Sequence, residues 1–453
     1  MLLSFRVANH KSIKDEQTLH LQPVYDKSRP ALPVAAIFGA NAAGKSNVLD
    51  ALRFMIEAVR SSFGGWHERV ARSPYQLAPE SAETDSTFGV ELLLDGVRWT
   101  YGFSVDSDRV TAESLYTYPQ HRPRLVFKRD INAIKFGTTV SLSRTTAKGV
   151  HGLLPPHSLF MSAAGGIFPE LGQVHSWFAS KVAILASGAP EIDDRRLLAI
   201  LEDASVAGRF VALARAADVG LADIEVQRAI PAPSWVEDGE AFKQWIAVAA
   251  PALDPSISAQ ELRSRERRMR AAAERLGGKR ASATDWTVIR EPLFRHGPNR
   301  VGMRLRDQSR GTRVWLSYLM PMITALDNGS TLIVDEIDTS LHPRLTAQLI
   351  SLFREPRVNR LGAQLVFTTH DATLLGRQFG EDILGRDEIW FVEKNQDGAT
   401  DLYALAEFQP RKDENTERRY LTGSYGSVPG IFEGDFTEAL AGNHGETGDR
   451  AAS

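Results

Sequence analysis

Apolar and polar positions alternate with period two through Leu3, Phe5 and Val7. The alternation breaks at Asn9-His10-Lys11-Ser12 and resumes at Thr18-Leu19-His20-Leu21, which predicts two strands. A short apolar run, Val34–Phe38, then enters Gly39. From there the period changes to that of a helix, with Val48, Leu49, Leu52, Met55, Ile56 and Val59 on one face. Residues 61–86, rich in Ser, Gly, Pro and Arg, read as loop. Strand patterning returns over 87–140, where Asp95-Gly96 between Thr87–Leu94 and Val97–Val105 marks a hairpin and a further pair falls near 114–118 and 125–129.

From about residue 150 to 285 the pattern reads as helical, including Asp193–Ala217, Phe242–Ala249 and a charged stretch over 259–280 that stops at Gly277-Gly278. Residues 305–326 begin polar and become an apolar helix. Three buried-type strands follow, Thr331–Val334, Ala363–Thr368 and Glu388–Val392. A helix over Pro343–Phe353 joins the first two, a βαβ unit that implies a parallel sheet. The expected class is therefore α/β. The expected organisation is a discontinuous head over 1–145 and 286–432 with a mixed or parallel core sheet and an antiparallel β-subdomain, a mainly helical insertion over 146–285, and a disordered tail over 433–453.

Composition narrows the classes. At 453 residues the chain is long enough for two or three domains, and 43% hydrophobic with 24% charged residues is the balance of a globular protein. It has no cysteine, which excludes disulfides, thiolate metal sites and a cysteine nucleophile and makes a reducing cytoplasm the simplest location. No apolar run reaches a membrane span, and the N-terminus becomes charged at Arg6, too soon for a signal peptide. A net charge of −3 does not mark a globally basic nucleic-acid binder.

The chemistry is concentrated in a few motifs. Gly39-Ala40-Asn41-Ala42-Ala43-Gly44-Lys45-Ser46, followed by Asn47, matches the phosphate-cradling loop G-x-x-x-x-G-K-[ST] and lies between a strand and a helix, as such a loop requires. Its backbone N–H groups favour phosphate oxygens, Lys45 supplies a point charge, and Ser46 can ligate Mg²⁺. The bland alternative is a chance glycine turn. Thr331-Leu332-Ile333-Val334 ends in Asp335-Glu336, where Asp335 would serve Mg²⁺ and Glu336 would polarise the attacking water of ATP hydrolysis; a surface turn with two acids is the alternative. Another buried strand ends at Thr368-Thr369-His370, one βα unit later.

Together these motifs resemble the ABC ATPase superfamily in its SMC-, RecF- and OLD-like branch. The resemblance implies that His370 senses the γ-phosphate, that Ser340-Leu341-His342 form the D-loop with His342 where many members have Asp, and that ATP and Mg²⁺ are the cofactors. It also implies a signature loop at Ser309-Arg310-Gly311-Thr312, completed in trans by a second copy, hence a homodimer or higher oligomer. Arg310 replaces a small residue there, and Ala42 stands where Gly is common in the P-loop. The segments Phe5–Ile13, Arg98–Phe103, Glu388–Lys394, Arg411–Asn415 and Arg418–Pro429 resemble the RloA-type ATPases of restriction, abortive infection and phage defence. That implies a sensor or regulator with a separately encoded nuclease effector. Fewer than ninety residues follow His370, so no fused TOPRIM-sized catalytic domain is expected there. A RecF-type repair ATPase, a transporter subunit and a non-hydrolysing scaffold are the rival readings.

Two features stand outside this scheme. Residues 261–280 hold eight basic and three acidic side chains, which suits nucleic acid, an acidic protein partner, or a solvated face. Trp99, Tyr101 and Phe103 alternate on one strand and read as core. The histidines have no metal-ligand spacing.

Overall fold

The computed structural model describes residues 1–138, 143–186, 191–217, 220–229, 289–378, 380–411 and 414–428. The chain divides into two compact units, Met1–Ala189 with Pro321–Ser453, and Pro190–Met320.

In chain order the first unit begins with β1 (Leu2–Ala8), β2 (Gln17–His20), β3 (Val34–Phe38) and α1 (Lys45–Gly65). Five strands follow: β4 (Ser86–Leu94), β5 (Val97–Val105), β6 (Val110–Tyr118), β7 (Arg124–Asp130) and β8 (Ile134–Phe136). Then come α2 (Arg144–Gly152), α3 (Phe160–Ala164), α4 (Pro169–Ser180) and β9 (Val182–Leu185). The second unit contains α5 (Asp194–Glu202), α6 (Ala207–Ala217), β10 (Leu221–Ala229), β11 (Ile289–His296), β12 (Val301–Arg304) and most of α7 (Arg310–Asn328). The chain returns to the first unit for β13 (Thr331–Val334), α8 (Pro343–Arg354), β14 (Gln364–Thr369), β15 (Arg377–Gln378), β16 (Glu381–Asp382), β17 (Ile389–Lys394), β18 (Thr400–Ala404) and α9 (Thr416–Leu421).

The first unit carries two large sheets. One is antiparallel, in the order β2-β1-β4-β5-β6-β7-β8; the other is a mixed core sheet, in the order β18-β17-β3-β14-β13-β9. In the core sheet every pair from β17 to β9 is parallel, and only β18 runs against its neighbour. β3, β13 and β14 are buried along their whole length, which is why they read as unbroken apolar runs rather than alternating ones. The antiparallel strands alternate instead, and the turn between β4 and β5 places both Asp95 (φ 49°) and Gly96 (φ 77°) in the left-handed region, as a two-residue hairpin requires.

Helix α1 lies between these sheets. Its buried residues Val48, Leu52, Met55, Ile56 and Val59 share one core cluster with Phe5 and Val7 of β1, Phe88 and Val90 of β4, and Ile333 and Val366 of the core sheet. Each such side chain contributes about 1.5–3 kcal/mol by burial. Tyr101 and Phe103 also join that cluster, with Trp99 packed against it.

The helical reading of 150–285 needs correction. β9 forms an edge of the core sheet, pairing parallel with β13, and β10 pairs antiparallel with β11 in a three-stranded sheet of the second unit. Four apolar residues carry no period, and the alternation of Ile224 and Val226 in β10 finds its partner only far downstream in β11. The compact units also divide near 190 and 320 rather than at 145 and 286, because α2 to α4 pack with α1 and the first unit's sheets. The tail over 433–453, the Phe242–Ala249 helix and the arginine-rich stretch over 261–280 lie outside the described residues.

Candidate functional site

The P-loop leaves β3 at Gly39, where a Cβ would stand 2.6 Å from the carbonyl oxygen of Val392, so only glycine allows β17 this close. Gly44 has φ 111°, and a Cβ there would collide with Thr400 Oγ1. Ala42 adopts φ 64°, a conformation that glycine takes without cost, which gives the Ala-for-Gly departure a structural meaning. α1 starts at Lys45 with no side chain capping its N-terminus. Lys45 Nζ donates to the carbonyl oxygens of Gly39 (2.6 Å) and Ala40 (3.0 Å), inside its own loop. Burial lowers its pKa, while the carboxylates of Glu336, Asp338 and Asp335 act to raise it.

The C-terminal ends of the parallel strands bring the acids to this loop, since β13 and β3 flank β14 in register. Ser46 Oγ donates to Asp335 Oδ1 at 3.0 Å. Thr368 Oγ1 donates to the same oxygen at 2.6 Å and accepts the N–H of Glu336 at 2.7 Å. Glu336 sits at φ 55°, and its Oε2 lies 3.4 Å from Thr339 Oγ1. His370 follows β14; its Nε2 lies 3.1 Å from Asp338 Oδ2, with the ring more than half exposed and the carboxylate buried. Asp338 Oδ1 is buried with no hydrogen-bond partner among the described residues.

The D-loop residues follow directly. Ser340 takes φ 64°, Leu341 is buried, and His342 Nδ1 accepts the N–H of Arg344 at 3.2 Å as the N-cap of α8. A capping acceptor is what His342 supplies in place of Asp. The expected signature residues belong to the second unit. There Ser309 Oγ accepts the N–H of Thr312 at 3.1 Å, and Arg313, rather than the exposed Arg310, makes the short contact with Glu191. Gly311 lies in the first turn of α7.

Four further groups shape the loop and were not singled out from sequence. Ser12 Oγ accepts from Asn47 Nδ2 (2.6 Å) and pairs with Thr400 Oγ1 (2.7 Å), whose hydroxyl also lies 2.9 Å from the carbonyl of Ala43. Asp338 and Thr368 complete the acidic end. A hydroxyl closing an otherwise apolar buried strand was the available signal for Thr368; nothing local marks Thr400. The C-terminal segment that carried the narrower resemblance packs beneath the loop: Ser427 Oγ donates to the carbonyl of Val392 (2.5 Å), and the rings of Tyr420 and Tyr425 stack on Phe391 at 5.5 and 5.6 Å.

A family model described as "AAA domain, putative AbiEii toxin, Type IV TA system" matches residues 34–376, from β3 through the P-loop, the acidic strand and His370. The chain belongs to this family. The match makes it an AAA-domain protein, with the P-loop and the acidic strand inside the matched residues. Chains of solved SMC heads are also similar. A head domain from Thermotoga maritima is 13% identical, with 89% of this chain and 98% of that chain covered and a TM-score of 0.34. A head bound to the C-winged helix domain of ScpA is 11% identical over 90% and 99%, with a TM-score of 0.37. One from Pyrococcus furiosus with an extended coiled coil is 11% identical over 90% and 97%, at 0.39. No curated protein matches. Among the described residues, no helix is long and apolar enough to cross a membrane.

Proposed function

We propose that this chain binds ATP with Mg²⁺ between its P-loop and the acidic strand end, and hydrolyses it. The observation that carries the reading is the 3.0 Å approach of Ser46 Oγ to Asp335 Oδ1, which joins the two halves of the motif across most of the chain. The residues fit the ion. Two hard oxygens, Ser46 Oγ and Asp335 Oδ1, converge, which suits Mg²⁺ shared with phosphate oxygens. Ser46 and Asp335 would hold it, and bound Mg²⁺ would neutralise phosphate charge. Lys45 would leave the carbonyls of Gly39 and Ala40 for the phosphates. Glu336 would orient the attacking water and accept its proton, and His370 would donate to the γ-phosphate once released from Asp338. The turn at Ser309–Thr312, where the resemblance puts a signature loop, supports completion of the site by a second copy.

In the cell we read the protein as a sensor or regulator of anti-phage defence acting on a separately encoded nuclease. The family description, with its words "putative AbiEii toxin, Type IV TA system", supports defence over repair. Lys45→Ala is expected to weaken ATP binding by at least about tenfold, the scale of one charge-assisted contact. Glu336→Gln is expected to retain binding and lower kcat by about a hundredfold, the scale of general-base loss. Equal hydrolysis by wild type and Glu336→Gln, measured as phosphate release, would remove Glu336 from this role.

A further inference from the structure

Thr368 is fully buried, and its one hydroxyl touches both residues of the acidic pair, the Asp335 carboxylate and the Glu336 N–H. A carboxylate can only accept and a backbone N–H can only donate, so the direction of each bond is fixed. The hydroxyl proton goes to Asp335 Oδ1, and its lone pair takes the Glu336 N–H. The backbone supports the same arrangement, because Ile337 N–H donates to the Thr368 carbonyl at 3.1 Å. Glu336, held at φ 55°, is thus pinned on both sides of its left-handed bend by one residue of the neighbouring strand.

Asp335 Oδ1 receives two hydroxyls, from Ser46 at 3.0 Å and from Thr368 at 2.6 Å. They differ in freedom. Ser46 heads α1 at the edge of the P-loop, whereas Thr368 is enclosed with no exposed surface. When Ser46 turns to a cation, Thr368 is the group that still orients the Asp335 carboxylate. We infer that Thr368 is a positioning residue: it presets the Asp335 carboxylate for Mg²⁺ and fixes the backbone from which Glu336 reaches the water. This rests on the ATPase reading above.

The test uses the full chain, a fluorescent ATP analogue and three variants. Thr368→Val keeps the shape and removes the hydroxyl; Thr368→Ser keeps the hydroxyl and removes the methyl; Thr368→Ala removes both. Analogue binding in EDTA should stay within about twofold for Thr368→Val, since the P-loop is untouched. The Mg²⁺ concentration giving half of the metal-dependent tightening should rise about tenfold, the scale of one hydrogen bond to a charged group. Its kcat should fall by at least about tenfold, and Thr368→Ser should recover most of both effects. A wild-type Mg²⁺ midpoint in Thr368→Val overturns the inference. So does equal impairment of the Val and Ser variants, which would assign the effect to packing. If Thr368→Val does not fold, the Ser-against-Ala difference in Mg²⁺ midpoint decides the question in the same way. A wild-type protein that tightens on the analogue with Mg²⁺ but releases no phosphate defeats the hydrolysis reading and leaves the midpoint comparison valid.

Discussion

Two polar clusters of the first unit are each built around carboxylates and end in opposite states. In the antiparallel sheet, Glu113 of β6 is buried beside Tyr101 of β5 and Arg129 of β7. Its carboxylate accepts the N–H groups of Phe160 (2.7 Å) and Met161 (2.8 Å), the Tyr101 hydroxyl (3.0 Å), and Arg129 Nη1 at 3.5 Å. Arg129 Nη1 also donates to the Ser158 carbonyl at 2.7 Å. Burial pushes the Glu113 carboxyl up, with Arg129 and the backbone donors opposing it, and burial raises the Tyr101 phenol as well. Both carboxylate oxygens are engaged, and the cluster ties α3 to the sheet. Around the ends of β3, β13 and β14 one carboxylate oxygen is instead left open: Asp338 Oδ1 has no partner among the described residues, His370 faces solvent, and Ala42, Glu336 and Ser340 all take left-handed backbone. A closed polar shell holds structure together. An open shell on a constrained backbone is a place for a ligand to complete.

The sharpest test of that contrast exchanges one oxygen for an amide in each cluster. Glu113→Gln would turn an NH₂ group toward backbone donors and leave Arg129 without its counter-charge. It is expected to cost about 3–5 kcal/mol of unfolding free energy, the scale of breaking a buried pair. Glu336→Gln, at the open end, should change stability by less than about 1 kcal/mol while removing hydrolysis. Denaturant unfolding of both variants makes the comparison. Equal losses of stability would erase the distinction between the clusters.

Asp50 offers an intermediate case. It lies on α1 and lines a cavity of about 170 Å³ together with Ser46 and Asp335, yet its carboxylate is closed by three donors. His10 Nε2 reaches it at 2.9 Å, Lys11 Nζ at 2.7 Å, and Arg53 pairs with its other oxygen. Burial alone would raise its pKa, but the hydrogen bonds from His10, Lys11 and Arg53 outweigh burial and hold the carboxyl well below the usual range. A depressed folded-state pKa stabilises the fold above the unfolded value and loses that contribution as pH falls through the folded one. Asp50→Asn should therefore cost about 1–2 kcal/mol at neutral pH, with the gap from wild type narrowing below about pH 4. A gap that stays constant from pH 7 to pH 3 would mean that Asp50 acts by packing rather than charge.

How much of this was legible follows from how local each signal is. The P-loop, the acidic strand and His370 could be read because each pairs a short motif with a buried apolar run that only a central parallel strand explains. The site's supporting groups could not. Thr400 reaches the P-loop carbonyl of Ala43 across 357 residues, and Asp338 acquires meaning only when β14 brings His370 beside it. β9 was missed because Val182–Leu185 has no period of its own and becomes a strand only through its pairing with β13.

The smallest expected effect lies at Ala42. The sequence marks it as a departure from glycine, and the structure places it at φ 64° in the loop that would meet phosphate. A non-glycine residue in that region costs about 1–2 kcal/mol of folded-state strain, so Ala42→Gly relieves it. The same change loosens the unfolded chain by about 0.4–1 kcal/mol, which offsets part of the gain. The net expectation is a stabilisation of about 0–1.6 kcal/mol, with nucleotide affinity within about twofold, because the loop already has the conformation glycine would take. Thermal unfolding with and without the ATP analogue reads both quantities. If Ala42→Gly instead lowers affinity well beyond twofold at unchanged stability, the alanine is restraining the loop in its binding shape, and strain at the open cluster serves preorganisation rather than being merely tolerated.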